Sequence, residues 1–140
     1  MATTEDLQNH VGARIAGVFV DNVNGQSRIA LRKADGSAFL WTTEGDCCSE
    51  SWFADINGAD SLRDAVITEI RTVEMGEVDD ERTRQDVDRV YGVKITTSKG
   101  HCDVVFRNSS NGYYGGWMDA SVVDAVPAGF DEINNDDWRA

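Results

Sequence analysis

Short runs of alternating apolar and polar residues, broken by turn residues, fill most of the chain. In "SRIALRK" (27–33), Ile29 and Leu31 alternate with Arg28, Ala30 and Arg32, the period of a half-buried strand. "RIAGVFVDN" (14–22), "AFLWTT" (38–43), "SWFADI" (51–56) and "VITEIRTVEM" (66–75) are β-rich runs of the same kind. Asn24-Gly25 and "ADGS" (34–37) supply the hairpin turns, because Asn, Asp and Gly accept the positive φ such turns require. A second hairpin is predicted from 90–98 and 101–108 around Ser98-Lys99-Gly100. On its second strand Cys102, Val104 and Phe106 share one face, and Asp103, Val105 and Arg107 the other. Residues 117–126 read as a last strand. A short helix is predicted from Thr4 to a stop at Gly12, and one helical turn within 58–66, capped near Asp60 or Ser61.

Two stretches lack any such pattern. Residues 76–88 show no apolar stripe at either period and read as a solvated loop with partial helix. Beyond Pro127, "AGFDEINNDDWRA" reads as an acidic tail that lies on the domain or stays mobile. The expected architecture is therefore mainly β, or α+β, with an antiparallel sheet of about six to eight strands and one or two short helices. It forms a single domain over 1–126, followed by a tail over 127–140.

Charge sharpens this picture. The net charge of −12 is concentrated in the two unpatterned stretches. Residues 74–88 hold seven acids and two bases, and residues 119–140 hold six acids and one base, so the remainder is near balance. That balance excludes duplex DNA as a partner while leaving room for a small anion in a locally basic pocket. Arg28, Arg32, Lys94 and Arg107 would make a positive patch if they shared a solvent face; the alternative is an ordinary sheet face paired with acids. No apolar run approaches the ~20 residues of a membrane helix, and "MATTEDLQNH" is not a signal peptide. A cytoplasmic protein is expected.

Candidate chemistry falls in two blocks. In "GDCCSESWF" (45–53), Cys47 and Cys48 are adjacent, with Cα atoms ~3.8 Å apart, closer than the ~4.4–6.8 Å usual for a disulfide. In extended backbone their side chains diverge, so one thiol is expected in the core and the other outside. Such divergence suits neither chelation by both thiols nor a zinc site, which uses C-x₂₋₄-C spacing. No metal or other cofactor is expected. A catalytic thiol would need a base; of the two histidines, His10 and His101, the latter could reach the 46–49 loop if its strand were a neighbour. In "RNSSNGYYGGW" (107–117), Asn108, Ser109, Ser110 and Asn111 supply short donors and acceptors. Tyr113, Tyr114 and Trp117 supply flat rings, and the glycines allow close approach. That mixture suits stacking on a base or sugar while reading its edges; the bland alternative is a hairpin loop whose tyrosines cover a sheet edge.

The chain also resembles a family of small phage and bacterial proteins catalogued as a domain of unknown function. The resemblance rests on Gly12; Asp46, Cys47 and Cys48; Asp55-Ile56-Asn57-Gly58; Leu62; Tyr91; Thr97-Ser98-Lys99-Gly100; and Ser110-Asn111-Gly112-Tyr113-Tyr114. Relatives often carry a histidine shortly before the D-C-C block; "LWTTEG" here has none, which weakens a metal site further. The resemblance implies a phage-type context and two marked loops that meet in space, and it assigns no catalytic residue. The expected function is a non-enzymatic binder of a small ligand, such as a nucleotide immune signal of the host. Its ligand residues would be Asp46, Cys48, Ser49, Trp52, Arg107, Asn108, Ser110, Asn111, Tyr113 and Tyr114. Two alternatives are an acidic module that blocks a host protein and a small hydrolase using Cys47 or Cys48. Homo-oligomerisation is left open.

Overall fold

The computed structural model describes residues 6–112 and 116–140. The alternating runs become strands Arg14–Val20 (β1), Arg28–Lys33 (β2), Ala38–Gly45 (β3), Glu50–Asn57 (β4) and Ala65–Val78 (β5). They are followed by Val87–Thr97 (β6), Gly100–Ser110 (β7), Gly116–Val123 (β8), Asp131–Glu132 (β9) and Asp137–Arg139 (β10). One antiparallel sheet of ten strands results, in the order β10-β4-β7-β6-β5-β1-β2-β3-β8, with β9 also on β1. The expected six to eight strands thus become ten. The two predicted helical turns shrink to 3₁₀ turns at Gln8–His10 and Ala59–Ser61, and the described residues contain no α-helix.

The sheet folds over on itself. β1 pairs along one edge with β2, while its other edge is divided: Arg14 and Ile15 pair with β5, and Phe19 and Val20 pair with β9. Past this short contact β5 pairs with β6 instead, and it carries the chain into a second layer. Ile29, Leu31 and Trp41 of the first layer and Phe53, Ile67, Ile95 and Phe106 of the second then share one core. Burying these faces against each other is the main stabilising term, at ~25 cal/mol per Å² of apolar surface.

Both unpatterned acidic stretches turn out to be structural. β5 and β6 extend into the predicted loop, leaving only 79–86 as a connection, and that segment lies across the outer face of β4, β7 and β6. The predicted tail supplies β9 and β10. Ile133 is buried in the main core, and its N–H bonds to Val18 O at 2.8 Å. Trp138 pairs with Ile56, and the carbonyl of Asp136 accepts from Gly58 and Ala59 N–H at 3.0 and 2.7 Å. Val126 and Phe130 cover Phe19, Ala30 and Ala38 on the outer face of the first layer. Local periodicity could not reveal these strands, because two or three residues are too short to show it. Deleting residues 131–140 should therefore lower the thermal unfolding midpoint by more than ~10 °C, several kcal/mol at this size. A fall of only a few degrees would show that the segment merely rests on the domain.

Candidate functional site

The two blocks singled out by composition meet at one corner of the fold. β3 ends in the first layer and β4 begins in the second, so the chain crosses between layers at 46–49. β7 ends in the second layer at Ser110 and β8 starts in the first at Gly116. The register sets Gly45 opposite Gly116, Glu50 opposite Ser109, Ser51 opposite Asn108 and Trp52 opposite Arg107. Asn108 Nδ2 donates to Ser51 Oγ at 2.9 Å, and Ser51 Oγ donates to Glu44 O at 2.9 Å. Space is tightest at Gly116, where a methyl group would lie 2.6 Å from both Ser51 Oγ and Asn108 Nδ2 and 2.7 Å from Asn108 Cβ; one on Gly45 would meet Ser49 Oγ, a side chain able to turn away.

The candidate ligand residues sort into three groups around this corner. Asp46, Cys48 and Asn111 are exposed, and Ser49 is half-buried beside them. Asn108 and Ser110 are fully buried, Ser110 Oγ accepting the Gly112 N–H at 3.0 Å. The Oδ1 of Asn108 has no hydrogen-bond partner among the described residues. Trp52 and Arg107 are buried on the outer face beneath the 79–86 segment. Tyr113 and Tyr114 lie outside the described residues.

Arg107 is the anchor of that segment rather than part of an open basic patch. Its Nη1 and Nη2 donate to Asp80 at 2.9 and 2.7 Å, and Nη1 also donates to Asp88 Oδ2 at 2.9 Å. The Arg107 guanidinium holds the Asp80 carboxyl well below the usual carboxylate range, and Asp80 in turn raises Arg107. Arg82 pairs with Asp55 at 3.1 Å, and the Arg84 guanidinium stacks 3.9 Å above the Trp52 ring. The N–H groups of Arg84 and Gln85 converge on Ser109 Oγ at 3.2 and 2.8 Å. The other members of the supposed patch are engaged too: Arg28 with Asp21 at 2.9 Å, Lys94 with Asp103 at 3.3 Å, and Arg32 over Phe19. Acid pairing, the alternative expectation, thus holds for Arg28, Lys94 and Arg107, whereas Arg32 stacks on a ring and Arg107 is buried instead of solvated.

The cysteines contradict the expected divergence. Both Cys47 and Cys48 are exposed, with sulfurs 3.0 Å apart. The chain is not extended there: Ser49 N–H bonds to Asp46 O at 3.0 Å, and Cys48 adopts φ 72°. Gly45-Asp46 and Ser49, which flank the pair, were the turn signal available in the sequence. A cysteine–histidine dyad is not formed. β4 does neighbour β7, but His101 stands at the start of β7 while the corner lies at its end, roughly 25 Å away at the rise of a strand. His10 is buried: its Nε2 accepts from Trp41 Nε1 at 3.0 Å, and burial, aided by Lys33, pushes its pKa down to about 4. Cys102 is buried, which pushes its thiol up to about 12. Among the described residues no group of three His, Cys, Asp or Glu side chains could hold a metal ion. No helix among them is long and apolar enough to cross a membrane.

Clefts also exist away from the corner. One of about 460 Å³ on β5–β7 is lined by Glu69, Arg71, Lys94, Thr96, His101 and Asp103. Another, of about 520 Å³, lies between Asn9, Arg14, Lys33 and Phe39. Neither was legible in the sequence, because each is assembled from residues of separate, sequence-distant elements.

Fold and corner define a single-domain, all-β protein with one sheet closed over its own core. The chain belongs to the family described as a domain of unknown function, DUF7448, whose model matches residues 8–120. It is 29% identical over 114 residues to an uncharacterized protein of Acanthamoeba polyphaga mimivirus, a match covering 79% of this chain and 88% of that one. No solved structure matches it.

The buried ion cluster generates a direct test. Replacing Arg107→Met leaves Asp88 buried without its cation, which should cost ~3–5 kcal/mol in urea unfolding, and adding Asp88→Leu should return much of the loss. A single-variant cost below ~1 kcal/mol would mean that the 79–86 segment is not anchored there.

Proposed function

We propose that the protein is a non-catalytic binder of a small planar ligand, and that the ligand contacts the corner where 46–53 and 108–117 meet. The observation that carries this reading is the buried carbonyl of Asn108. It lies between the two crossovers, and its Oδ1 lacks a donor among the described residues. A buried acceptor left without a donor is costly, and a bound ligand or water satisfies it. Near it the exposed Asp46 and Asn111 and the half-buried Ser49 offer edge-reading groups, and Tyr113 and Tyr114 follow in the sequence. Trp52 and Arg107 would not touch a ligand while the 79–86 segment covers them.

A non-catalytic reading is favoured at the corner because neither histidine reaches its thiols: His10 is buried against Trp41, and His101 stands at the far end of β7. The viral relative supports a viral setting. A nucleotide signal of host immunity, sequestered in the cytoplasm of the infected cell, is the ligand class that fits both the rings and the setting. A phage or prophage origin rests on the motif resemblance alone. The alternative of an acidic decoy draws less support, because Asp80, Asp88 and Glu81 are engaged by Arg107 and Arg139 within the chain.

The test is a titration of the purified protein with a panel of cyclic mononucleotides and cyclic dinucleotides. One member should bind, and Tyr113→Ala or Tyr114→Ala should weaken it roughly ten- to a hundredfold, the worth of one stacked ring, with the unfolding midpoint unchanged. Loss of fold in both variants would show that the rings are packing groups. Absence of binding by every member would remove nucleotides as the ligand class.

A further inference from the structure

The tip of the β3–β4 crossover presents two adjacent thiols to solvent. Cys47 and Cys48 are both exposed, and their sulfurs lie 3.0 Å apart. Extended backbone would send them to opposite sides. The turn brings them to one side, and it does so by holding Cys48 at φ 72°, a conformation that glycine adopts freely and that other residues adopt at a cost. Core packing does not account for this arrangement, since neither side chain enters the core. The tip is tied in place on both sides. Ser49 Oγ donates to Asp46 O at 2.8 Å, and Gln85 Nε2, from the segment covering the outer face, donates to Cys48 O at 2.9 Å.

We propose that Cys47 and Cys48 form a redox-active dithiol that closes to a vicinal disulfide by exchange with a small-molecule disulfide and reopens with a dithiol reductant. The sulfurs need approach by only about 1 Å to reach bonding distance, and no other element has to move. In the first step the Cys47 thiolate attacks one sulfur of the oxidant, RSSR. The RS–SR bond breaks, one RS⁻ departs, and a mixed disulfide forms on Cys47. The Cys48 thiol then gives its proton to solvent, and its thiolate attacks Cys47 Sγ, expelling the second RS⁻. Two protein thiols are oxidised by two electrons, RSSR is reduced, and the two protons end on the two departing RSH molecules. Hydrogen bonding with Cys47 raises the Cys48 thiol above its ordinary value, and because both sulfurs are exposed the same exchange starts equally well from Cys48. Cys102 takes no part, being buried on β7 away from the corner.

Adjacency also sets the character of the bond. Neighbouring Cα atoms are ~3.8 Å apart against the ~4.4–6.8 Å of relaxed disulfides, so the ring is strained and easily reduced. Strained, exposed disulfides are labile and respond to redox poise; they do not staple folds. This chemistry stands whether or not the corner binds a nucleotide.

The full chain is equilibrated with mixtures of reduced and oxidised glutathione, alkylated, and weighed intact and as peptides. The wild type should lose two hydrogen atoms within the peptide spanning 45–53 and retain no glutathione. Cys47→Ser and Cys48→Ser should each retain one glutathione, and Cys102→Ser should behave as wild type. On the reduced protein, phenylarsine oxide gives a second readout, because tight binding needs two thiols on one arsenic. It should bind wild type one to one and either single variant roughly a hundredfold or more weakly. Two glutathiones retained on the wild type, a disulfide between chains, or equal phenylarsine oxide binding by the single variants would each overturn the proposal. Circular dichroism of every variant, with Cys47→Ala and Cys48→Ala as replacements for any that misfolds, separates lost chemistry from lost structure.

Discussion

The fold closes at a corner where Gly116 leaves the room that Ser51 and Asn108 fill. At Gly45 and Gly116 two crossing strand pairs come so near that a single methyl group would collide with Ser51, Asn108 or Ser49. That proximity lets β3–β8 in one layer pass directly into β4–β7 in the other, and it leaves Asn108 completely buried between them. The apolar faces of both layers then share a core that neither could bury alone. At the opposite corner the transition rests on only two residue pairs between β1 and β5, with β9 taking the vacated edge. One corner is thus filled by the side chains of Ser51 and Asn108 beside two glycines, and the other is made by a strand exchange.

Outside this core, arginines fasten the acidic segments to the sheet. Arg107 anchors 79–86 through Asp80 and Asp88, Arg82 adds Asp55, and Arg139 reaches Glu81 from β10. Arg63 donates to the carbonyls of Ile133, Asn134 and Asn135 and so holds the turn between β9 and β10. Asp80, Asp88 and Glu81 of the acidic connection therefore serve as counter-charges within the chain. The buried Arg107–Asp88 pair contributes little net stability over an apolar replacement, but loss of one partner is penalised heavily.

The strands and their turns were legible because they are local. Period-two alternation marks β2 and β7, and Asp35-Gly36 makes the hairpin it predicts, with Gly36 at φ 91° and Ser37 N–H on Asp35 Oδ1. The adjacency of the 45–51 and 108–112 segments was expected from the motif resemblance alone, since no local pattern links residues so far apart in the chain. What stayed hidden depends on distant partners. β9 and β10 are too short to alternate, and they exist because β1 and β4 offer unpaired edges. Segment 79–86 has no apolar stripe because polar bonds hold it. The cysteine pair was misplaced because alternation was extended through residues that turn, although Asp46 and Ser49 bracket them.

These strands bring together, at one end of the domain, the buried Asn108 carbonyl, which has no partner among the described residues, and an exposed dithiol. A ligand that binds at this end should perturb its backbone and little else. The most direct measurement is amide chemical-shift mapping during titration with the nucleotide panel. Perturbations confined to 45–51, 108–112 and 116–117 are expected. Perturbations centred on Arg71, Lys94 and His101, with the corner silent, would contradict the account and place the site in the cleft of β5–β7.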